Sequence, residues 1–333
     1  MSTVHHVEQG SKRESLVLTI SGAAGAVGSN LANLVAGNGL GPGVRIDLRL
    51  LVTQSSLYRA RGLAADLEDL SAGHLSRVSV HVEPERAFVD CDLAVLAASR
   101  PRAGSTHRSE LGIANRAIAI EHSRLLLDVA SPRVRVAVIA NPVNSLVSTI
   151  LRETRLSHEQ VSGVVRIDLL RARRTVASRS DSRDLDLDRI AIWGNHSSNL
   201  AVDLQSGARD ATKLSPGESP PTLDIDAEVA RRGDEILALS GSTATHSAAL
   251  AAWQHIREWL HGTPRGVWSA AAFCSPDVAM PWWPVALTVP AVATDGVWRI
   301  ATPIPPDPRV IHAVEAARDE IRREVEGMSR YRN

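Results

Sequence analysis

Residues 15–28 read SLVLTISGAAGAVG, an apolar and partly β-branched run that leads straight into three spaced glycines. The residues that follow, 29–37, carry apolar side chains at helical spacing. This order predicts a strand, a tight turn and a helix, with Gly22, Gly25 and Gly28 in the turn. A strand and a helix joined in this way form the first half of a βαβ unit.

Each glycine of this turn has a physical reason. The first permits the tight turn, the second lets the backbone approach a pyrophosphate, and the third allows the helix to pack closely on the strand. The helix N-terminus adds amide groups and a positive dipole for the phosphates. Glycine-rich turns also occur for structure alone, but inside a βαβ unit Gly22, Gly25 and Gly28 predict dinucleotide binding.

The next segments repeat the alternation of strand and helix. A second strand is predicted over 44–52 and a helix over 59–70, after a turn rich in glycine and proline. Buried strands are predicted over 93–97 and 134–140, with a long helix, 110–130, between them. This alternation predicts an α/β fold with a doubly wound parallel sheet.

The pattern changes after about residue 164. A single strand is predicted over 189–193, one helical run over 227–259, and a closing helix over 308–328, with an aromatic and proline-rich stretch, 268–304, before it. We therefore expect a second domain. The predicted division is a flexible N-terminal tail, 1–15, a dinucleotide-binding domain, 16–164, and a substrate-binding and catalytic domain, 165–333.

Composition narrows the class of function. The 333 residues carry 37 basic and 37 acidic side chains, for a formal net charge of zero, so neither nucleic acid nor membrane is an expected partner. The polar start lacks the pattern of a secretory signal, which favours a cytoplasmic protein. The lysines are Lys12 and Lys213, so a cation used in chemistry is expected to be arginine. Cys91 and Cys274 lack metal-site spacing, and we expect reduced core thiols and no metal.

The end of the second strand bears on the choice of dinucleotide. An acidic residue there would accept hydrogen bonds from the adenosine ribose, but the sequence has Val52, followed by Thr53, Ser56 and, one turn on, Arg59. Without the acidic charge, hydroxyls and a guanidinium suit a 2′-phosphate. These residues favour NADP over NAD, and the alternative is a relaxed adenosine end that still uses NAD.

Several motifs appear in a recognisable order along the chain. They are GAAGAVG at 22–28, RPRAGSTHR at 100–108, IANPVN at 139–144, VVRIDLLRA at 164–172 and IWGNHSS at 192–198. In this order the chain resembles the malate dehydrogenases, most of all the cytosolic type. The resemblance implies a Rossmann domain followed by an α/β substrate domain of the lactate/malate dehydrogenase type, usually in a homodimer, that interconverts malate and oxaloacetate.

The resemblance assigns roles to single residues. His196 matches the proton-transferring histidine, and Asp168 matches the aspartate that hydrogen-bonds its ring. Arg171 matches the arginine that binds the C1 carboxylate of the anionic substrate. Asn141 matches the asparagine that contacts substrate and cofactor, and Asn115 is expected on the cofactor side.

Two further arginines match the mobile loop that closes over substrate in this family. Arg102 is expected to bind the distal anionic group of the substrate, and Arg108 is expected to polarise the C2 oxygen once the loop has closed and water is excluded. Arg166, in the same motif as Arg171, is expected to be a structural partner instead.

Oxidation of a 2-hydroxy acid by hydride transfer requires such a set of groups, independently of the resemblance. When hydride leaves C2 of a hydroxy acid, the hydroxyl proton must pass to a base, and imidazole titrates in the right range. A carboxylate on the other ring nitrogen fixes the tautomer and stabilises the imidazolium. A bidentate guanidinium orients the substrate carboxylate.

The chain also departs from the family pattern. Between the two loop arginines, residues 103–107 differ in size and charge from the usual residues, and His246 stands where a small pocket residue is common. Malate and oxaloacetate remain the first substrates. The alternatives are a 3-substituted pyruvate with a phosphonate or sulfonate, such as phosphonopyruvate or sulfopyruvate, and a non-catalytic dinucleotide-binding relative.

Overall fold

The structure is a computed structural model that describes residues 15–71, 73–100, 108–178, 185–208, 222–275, 285–305 and 307–329. Residues 1–14 of the predicted tail lie outside this part of the chain. The elements of the first half are β1 (Leu16–Ser21), α1 (Ala26–Asn38), β2 (Ile46–Leu51), α2 (Leu57–Leu70), β3 (Leu75–His81), α3 (Pro84–Phe88), β4 (Leu93–Leu96), α4 (Arg108–Val129), β5 (Arg135–Val138), α5 (Val143–Glu153) and β6 (Val161–Val164).

The second half alternates less regularly between helices and strands. Its elements are α6 (Arg166–Ala177), β7 (Ala191–Gly194), β8 (Leu200–Asp203), α7 (Thr222–Ser240), α8 (His246–His261), β9 (Ser269–Phe273), β10 (Leu287–Thr294), β11 (Val297–Ile300) and α9 (Pro308–Ser329). The predicted closing helix is confirmed as α9. Within the described part of the chain, no helix is both long and apolar enough to span a bilayer.

The first six strands form a parallel sheet in the order β3-β2-β1-β4-β5-β6. Their side chains are mostly buried, and all four residues of β4 are, because helices cover both faces of such a sheet. The strand order reverses between β1 and β4, which leaves a crevice at the carboxyl ends of these strands. The predicted Rossmann-type, doubly wound sheet is confirmed, and the crevice is where a dinucleotide binds in this architecture.

The sheet continues into the second half with antiparallel strands. β6 pairs with β9, and the order then runs through β10 and β7 to β8, while β11 pairs with β10 on the side. Because β7 and β8 are neighbours along the chain and in the sheet, they form a hairpin whose loop is residues 195–199. The predicted α/β second half is thus built on an extension of the first sheet.

Two sequence predictions of local structure were wrong. The run 227–259 is two helices, α7 and α8, since the chain turns at Gly241, whose φ of 69° lies in the left-handed region that ends helices. Helix α1 begins at Ala26, inside the glycine motif, and not at residue 29. The remaining elements that were not predicted from the sequence are β3, β6, β8, β9, β10, β11, α3, α5 and α6.

Candidate active site

The glycine turn follows β1 and contacts the ends of both strands beside it, β4 and β2. Gly22 has a φ of 75°, and a Cβ atom there would lie 2.7 Å from the backbone of Ala98, just beyond the end of β4. Its amide donates to the carbonyl of Leu51, the last residue of β2. Only glycine fits this position without moving the backbone, so the turn sits at the crevice between β1 and β4.

The other two glycines set the start of helix α1. A Cβ atom on Gly28 would lie 2.5 Å from the Gly22 carbonyl oxygen, so the helix approaches the turn as closely as glycine permits. Gly25 is the N-cap residue of α1, and because glycine has no side chain it cannot cap the first-turn amides. The first turn of α1 also holds no acidic side chain. Uncapped amides at a helix N-terminus bind anions. The turn therefore fits the pyrophosphate of a dinucleotide.

The predicted adenosine end is a small group of exposed polar side chains. Thr53 is within hydrogen-bond distance of Ser55, at 3.0 Å, and of Ser56, at 3.3 Å, and Arg59 donates to Ser56 at 3.4 Å. Thr53 and Arg59 are exposed, whereas the Val52 side chain is only 5% exposed. The structure thus brings Thr53, Ser56 and Arg59 together, and Val52, which precedes them in the chain, is buried.

Asn115 and Asn141 are also in contact. Asn115 is 4% exposed; its side chain accepts a hydrogen bond from the Arg100 amide at 2.8 Å and donates to the Asn141 carbonyl at 2.7 Å. One buried amide thereby links the segments after β4 and β5, which both end at the crevice. The exposed Asn141 side chain stays available for a ligand there.

His196 lies in the hairpin loop between β7 and β8. The loop begins after Gly194, whose φ is 111° and where a Cβ atom would collide with the Asn199 carbonyl oxygen. The His196 amide donates to the side-chain oxygen of Asn144, a fully buried residue of α5, at 3.2 Å. A role for Asn144 was not predicted from the sequence, although Asn144 stands in the IANPVN motif. The loop is closed tightly and held from α5.

The imidazole of His196 meets the carboxylate of Asp168. The Nδ1 atom lies 2.6 Å from Oδ2, in a pair where the His196 side chain is 23% exposed and the Asp168 side chain 2%. The carboxylate accepts the Nδ1 proton, which fixes the tautomer and leaves Nε2 to exchange a proton with a ligand. This is the arrangement that acid–base chemistry at a hydroxyl or carbonyl requires.

Arg171 binds the same carboxylate from one helical turn away on α6. Its Nη1 atom donates to Asp168 Oδ1 at 3.2 Å, and the Arg171 side chain is 13% exposed. A Cβ atom on Gly233 of α7 would lie 3.5 Å from the guanidinium, which is ordinary van der Waals contact, so α7 packs beside Arg171. An imidazole, a carboxylate and a guanidinium therefore form one connected group.

Arg166 is engaged elsewhere, and the prediction that it is a structural partner is confirmed. Its guanidinium donates to Glu258 at 2.7 Å, to Ser269 at 2.6 Å and to Gln254 at 2.9 Å. The two arginines of the VVRIDLLRA motif thus have separate partners: Arg166 pairs with Glu258, and Arg171 pairs with Asp168.

The predicted loop arginines cannot be placed against these groups. Arg102 lies outside the described residues, and so do residues 103–107. Arg108 is the first residue of α4, with its side chain outside the description. The distal end of the substrate site therefore stays a prediction from the sequence.

Comparison with known proteins identifies the family. Residues 17–163 match the family model for the NAD-binding domain of lactate/malate dehydrogenases, and residues 165–330 match that for their alpha/beta C-terminal domain. The chain belongs to the lactate/malate dehydrogenase family. A malate dehydrogenase of Rhodococcus jostii is 34% identical over 289 residues, covering 85% of this chain and 87% of that protein. One from Corynebacterium jeikeium is 28% identical over 316 residues, covering 94% and 96%.

Solved structures of lactate/malate dehydrogenases have the same fold. A malate dehydrogenase of Naegleria fowleri has a TM-score of 0.84 at 23% identity and covers 95% of this chain and 98% of its own. A lactate dehydrogenase variant of Trichomonas vaginalis has a TM-score of 0.85 at 26% identity, covering 96% and 98%. As a member of this family, the protein is a nicotinamide-dependent 2-hydroxy-acid dehydrogenase.

Proposed function

We propose that the protein interconverts malate and oxaloacetate by hydride transfer. The observation that carries this proposal is the connected group of His196, Asp168 and Arg171, in a chain 34% identical to malate dehydrogenases. The group combines a proton carrier with a cation for a carboxylate, and both are needed to hold a 2-hydroxy acid while its C2–H bond breaks.

His196 moves the proton in the proposed reaction. In oxaloacetate reduction it gives the Nε2 proton to the C2 oxygen, and in malate oxidation it takes the proton from the hydroxyl. Asp168 keeps Nδ1 protonated and stabilises the imidazolium, because its carboxylate is nearly excluded from water and lies 2.6 Å away. A bound nicotinamide would supply or accept the hydride.

Arg171 orients the substrate. Its guanidinium uses Nη1 on Asp168, which leaves further donors of the fork for the C1 carboxylate. Because the same aspartate contacts both Arg171 and His196, the cation and the proton carrier keep a fixed relative position. From the sequence we add Arg102 for the distal carboxylate, Arg108 for the C2 oxygen, and Asn141 for contact with substrate and cofactor.

The proposed dinucleotide site comprises the glycine turn and the residues around it. Gly22, Gly25 and Gly28 would hold the pyrophosphate, and Asn115 supports the segment that carries Asn141. We propose that the cofactor is NADP or NAD, with NADP slightly favoured. The proposal is supported by the hydroxyls of Thr53 and Ser56 beside Arg59, with Val52 where a carboxylate would repel a 2′-phosphate.

We also propose the division of labour and the assembly expected from the sequence. The two family models, at 17–163 and 165–330, support a cofactor half, 16–164, and a substrate half, 165–333. A homodimer is proposed from the resemblance to the malate dehydrogenases. Sedimentation equilibrium checks it, with twice the chain mass expected. A cytoplasmic location is proposed from the sequence alone.

A substrate screen tests the proposed reaction. Purified protein is given oxaloacetate, pyruvate, sulfopyruvate or phosphonopyruvate with NADH or NADPH, and kcat/KM is measured by absorbance. We expect oxaloacetate to lead, and His196→Asn to remove most of the turnover while the dinucleotide still binds. A sulfonate or phosphonate leading by tenfold or more would replace the proposed substrate, and dinucleotide binding without any turnover would support a non-catalytic relative.

A further inference from the structure

The closing helix α9 contacts the loop that carries His196. One carboxylate oxygen of Glu320, Oε2, accepts hydrogen bonds from three side chains of this loop. The donors are Asn195 Nδ2 at 2.8 Å, Ser197 Oγ at 2.6 Å and Asn199 Nδ2 at 3.0 Å. Hydrogen bonds to an ionised carboxylate are about twice as strong as neutral ones.

The three donors lie on both sides of His196 in the sequence. Asn195 precedes it, Ser197 follows it, and Asn199 ends the loop. Backbone bonds of 2.8 Å from the Asn195 amide to the Asn199 carbonyl and from the Ser197 amide to the Asn195 carbonyl close the same five residues. A single oxygen of Glu320 therefore fixes both sides of the residue that carries the imidazole.

Helix α9 also supports the second anchor of this loop. The His196 amide donates to Asn144, and the adjacent Ser145 donates a short hydrogen bond to Glu324. Glu324 is one helical turn after Glu320, on the same side of α9. Helix α5 and the hairpin loop are thus both attached to one face of the closing helix through neighbouring carboxylates.

We propose that Glu320 is a positioning residue for the reaction, which acts through the 195–199 loop to hold the His196 imidazole at its working distance from Asp168 and substrate. Proton transfer depends steeply on this distance, and a displacement of about 1 Å costs on the order of 100-fold in rate. The inference rests on the proposed function, since it takes His196 as the proton carrier.

Substitutions at Glu320 test the proposal by kinetics. Glu320→Ala removes the shared acceptor, and we expect kcat for oxaloacetate reduction to fall about 100-fold. KM for oxaloacetate and the Kd for NADH, from fluorescence titration, stay within about threefold, because neither ligand contacts Glu320 in the proposal. Glu320→Gln keeps a neutral acceptor oxygen and should recover at least a tenth of the kcat, a rescue tied to the acceptor. Glu315→Ala, an exposed glutamate of the same helix, is the matched control and should match the parent.

A second pair of variants tests the route through the loop. Ser197→Ala removes one of the donors to Glu320. If Glu320 acts through this donor, the losses in kcat of Ser197→Ala and Glu320→Ala combine to less than their product in the double variant. Losses that multiply in full would overturn the route through Ser197.

A spectroscopic measurement separates this inference from the proposed reaction, because it needs no substrate. The Nδ1 proton between His196 and Asp168 is expected as a downfield imidazole resonance, identified by its loss in His196→Asn. We expect it to persist in the parent and Glu315→Ala and to broaden by exchange in Glu320→Ala.

A sharp resonance together with a kcat within threefold of the parent in Glu320→Ala overturns the inference. A kcat loss that is matched by equal losses of NADH affinity and folded fraction overturns it as well. If the parent fails to reduce oxaloacetate, the proposed function fails, and the resonance still decides the role of Glu320.

Discussion

The two ends of the site are built in opposite ways. At the acid–base end, Asp168 is 2% exposed in its side chain and contacts both His196 and Arg171. At the adenosine end, Thr53 and Arg59 are exposed, and the bonds among the polar side chains are 3.0–3.4 Å long. The first end is packed and connected, whereas the second is a solvated surface.

The difference indicates which property each end fixes. A low-dielectric, connected group keeps its geometry and gives each contact a large effect on the rate. An exposed cation and hydroxyls contribute little individually, because water competes for them. A single substitution at the acid–base end should therefore reduce the reaction rate strongly. A single substitution at the adenosine end should change the preference between NADP and NAD only a little.

The largest effect is expected at Asp168. Asp168→Asn keeps the shape but allows the wrong imidazole tautomer and removes the charge that stabilises the imidazolium, so kcat should fall about 1,000-fold or more. Steady-state oxaloacetate reduction measures it. Asp234→Asn, at an exposed position of α7, is the control. A loss below tenfold would show that the acid–base end is not the connected unit described above.

Arg171 should come next. Arg171→Lys keeps the positive charge but loses the fork that contacts Asp168 and the substrate carboxylate, so kcat/KM should fall about 100-fold, or about 3 kcal/mol. The control is Arg174→Lys on the same helix, whose side chain is 57% exposed. Equal, near-parental values for both variants would contradict the role of the fork.

Arg59 should show the smaller response of the exposed end. Arg59→Ala removes the cation beside Ser56, so kcat/KM for NADPH should fall about fivefold to tenfold while the value for NADH changes less than twofold. Arg61→Ala removes another exposed cation of α2, one that lies over Tyr58, and should change neither value. Equal effects of Arg59→Ala on both dinucleotides would refute a 2′-phosphate contact.

The core behind the acid–base end predicts a dependence of stability on pH. His255 is fully buried against Trp259 and Trp298, and neither ring nitrogen has a hydrogen-bond partner in the described structure. Burial, with a smaller effect of the Arg166 charge, lowers the pKa of His255 from 6.5 to about 3. As the pH falls below 6.5, His255 therefore binds a proton in the unfolded chain but stays neutral in the folded chain.

Stability from a neutral His255 is thus present above pH 6.5 and lost as the pH falls from there toward 3. Between pH 6 and 5, the parent should lose about 1 kcal/mol more than His255→Phe, measured by urea unfolding. His312→Gln, at an exposed position of α9, should follow the parent. Parallel losses in the parent and His255→Phe would show that His255 accepts the proton in the folded state.

The sequence was informative where the determinants are local. The glycine turn could be predicted because positive φ and close backbone approach demand glycine within a few residues, and Gly22 and Gly28 satisfy both. Buried apolar runs predicted β1, β2, β4 and β5, because such a run is also a pattern within a few neighbouring residues. The break between α7 and α8 was missed, because one glycine, Gly241, outweighs helical periodicity on either side of it.

The candidate site could be predicted only in part. His196 and Asp168 are 28 residues apart, and only the order of motifs related them before the structure brought them to 2.6 Å. Glu320 was missed, since it meets Asn195 across 125 residues and leaves no periodic or local signal. Contacts between distant elements depend on tertiary packing, which sequence pattern alone does not report.

In the proposed reaction, His196 gives a proton in one direction and takes it in the other. The most direct measurement is kcat/KM against pH for oxaloacetate reduction and for malate oxidation with the same protein. Reduction should fall at high pH and oxidation at low pH, because reduction needs a proton donor and oxidation needs a proton acceptor, and the residual rates of His196→Asn should lack this opposed dependence. Profiles of the parent that fall on the same side of the pH range would refute His196 as the proton carrier.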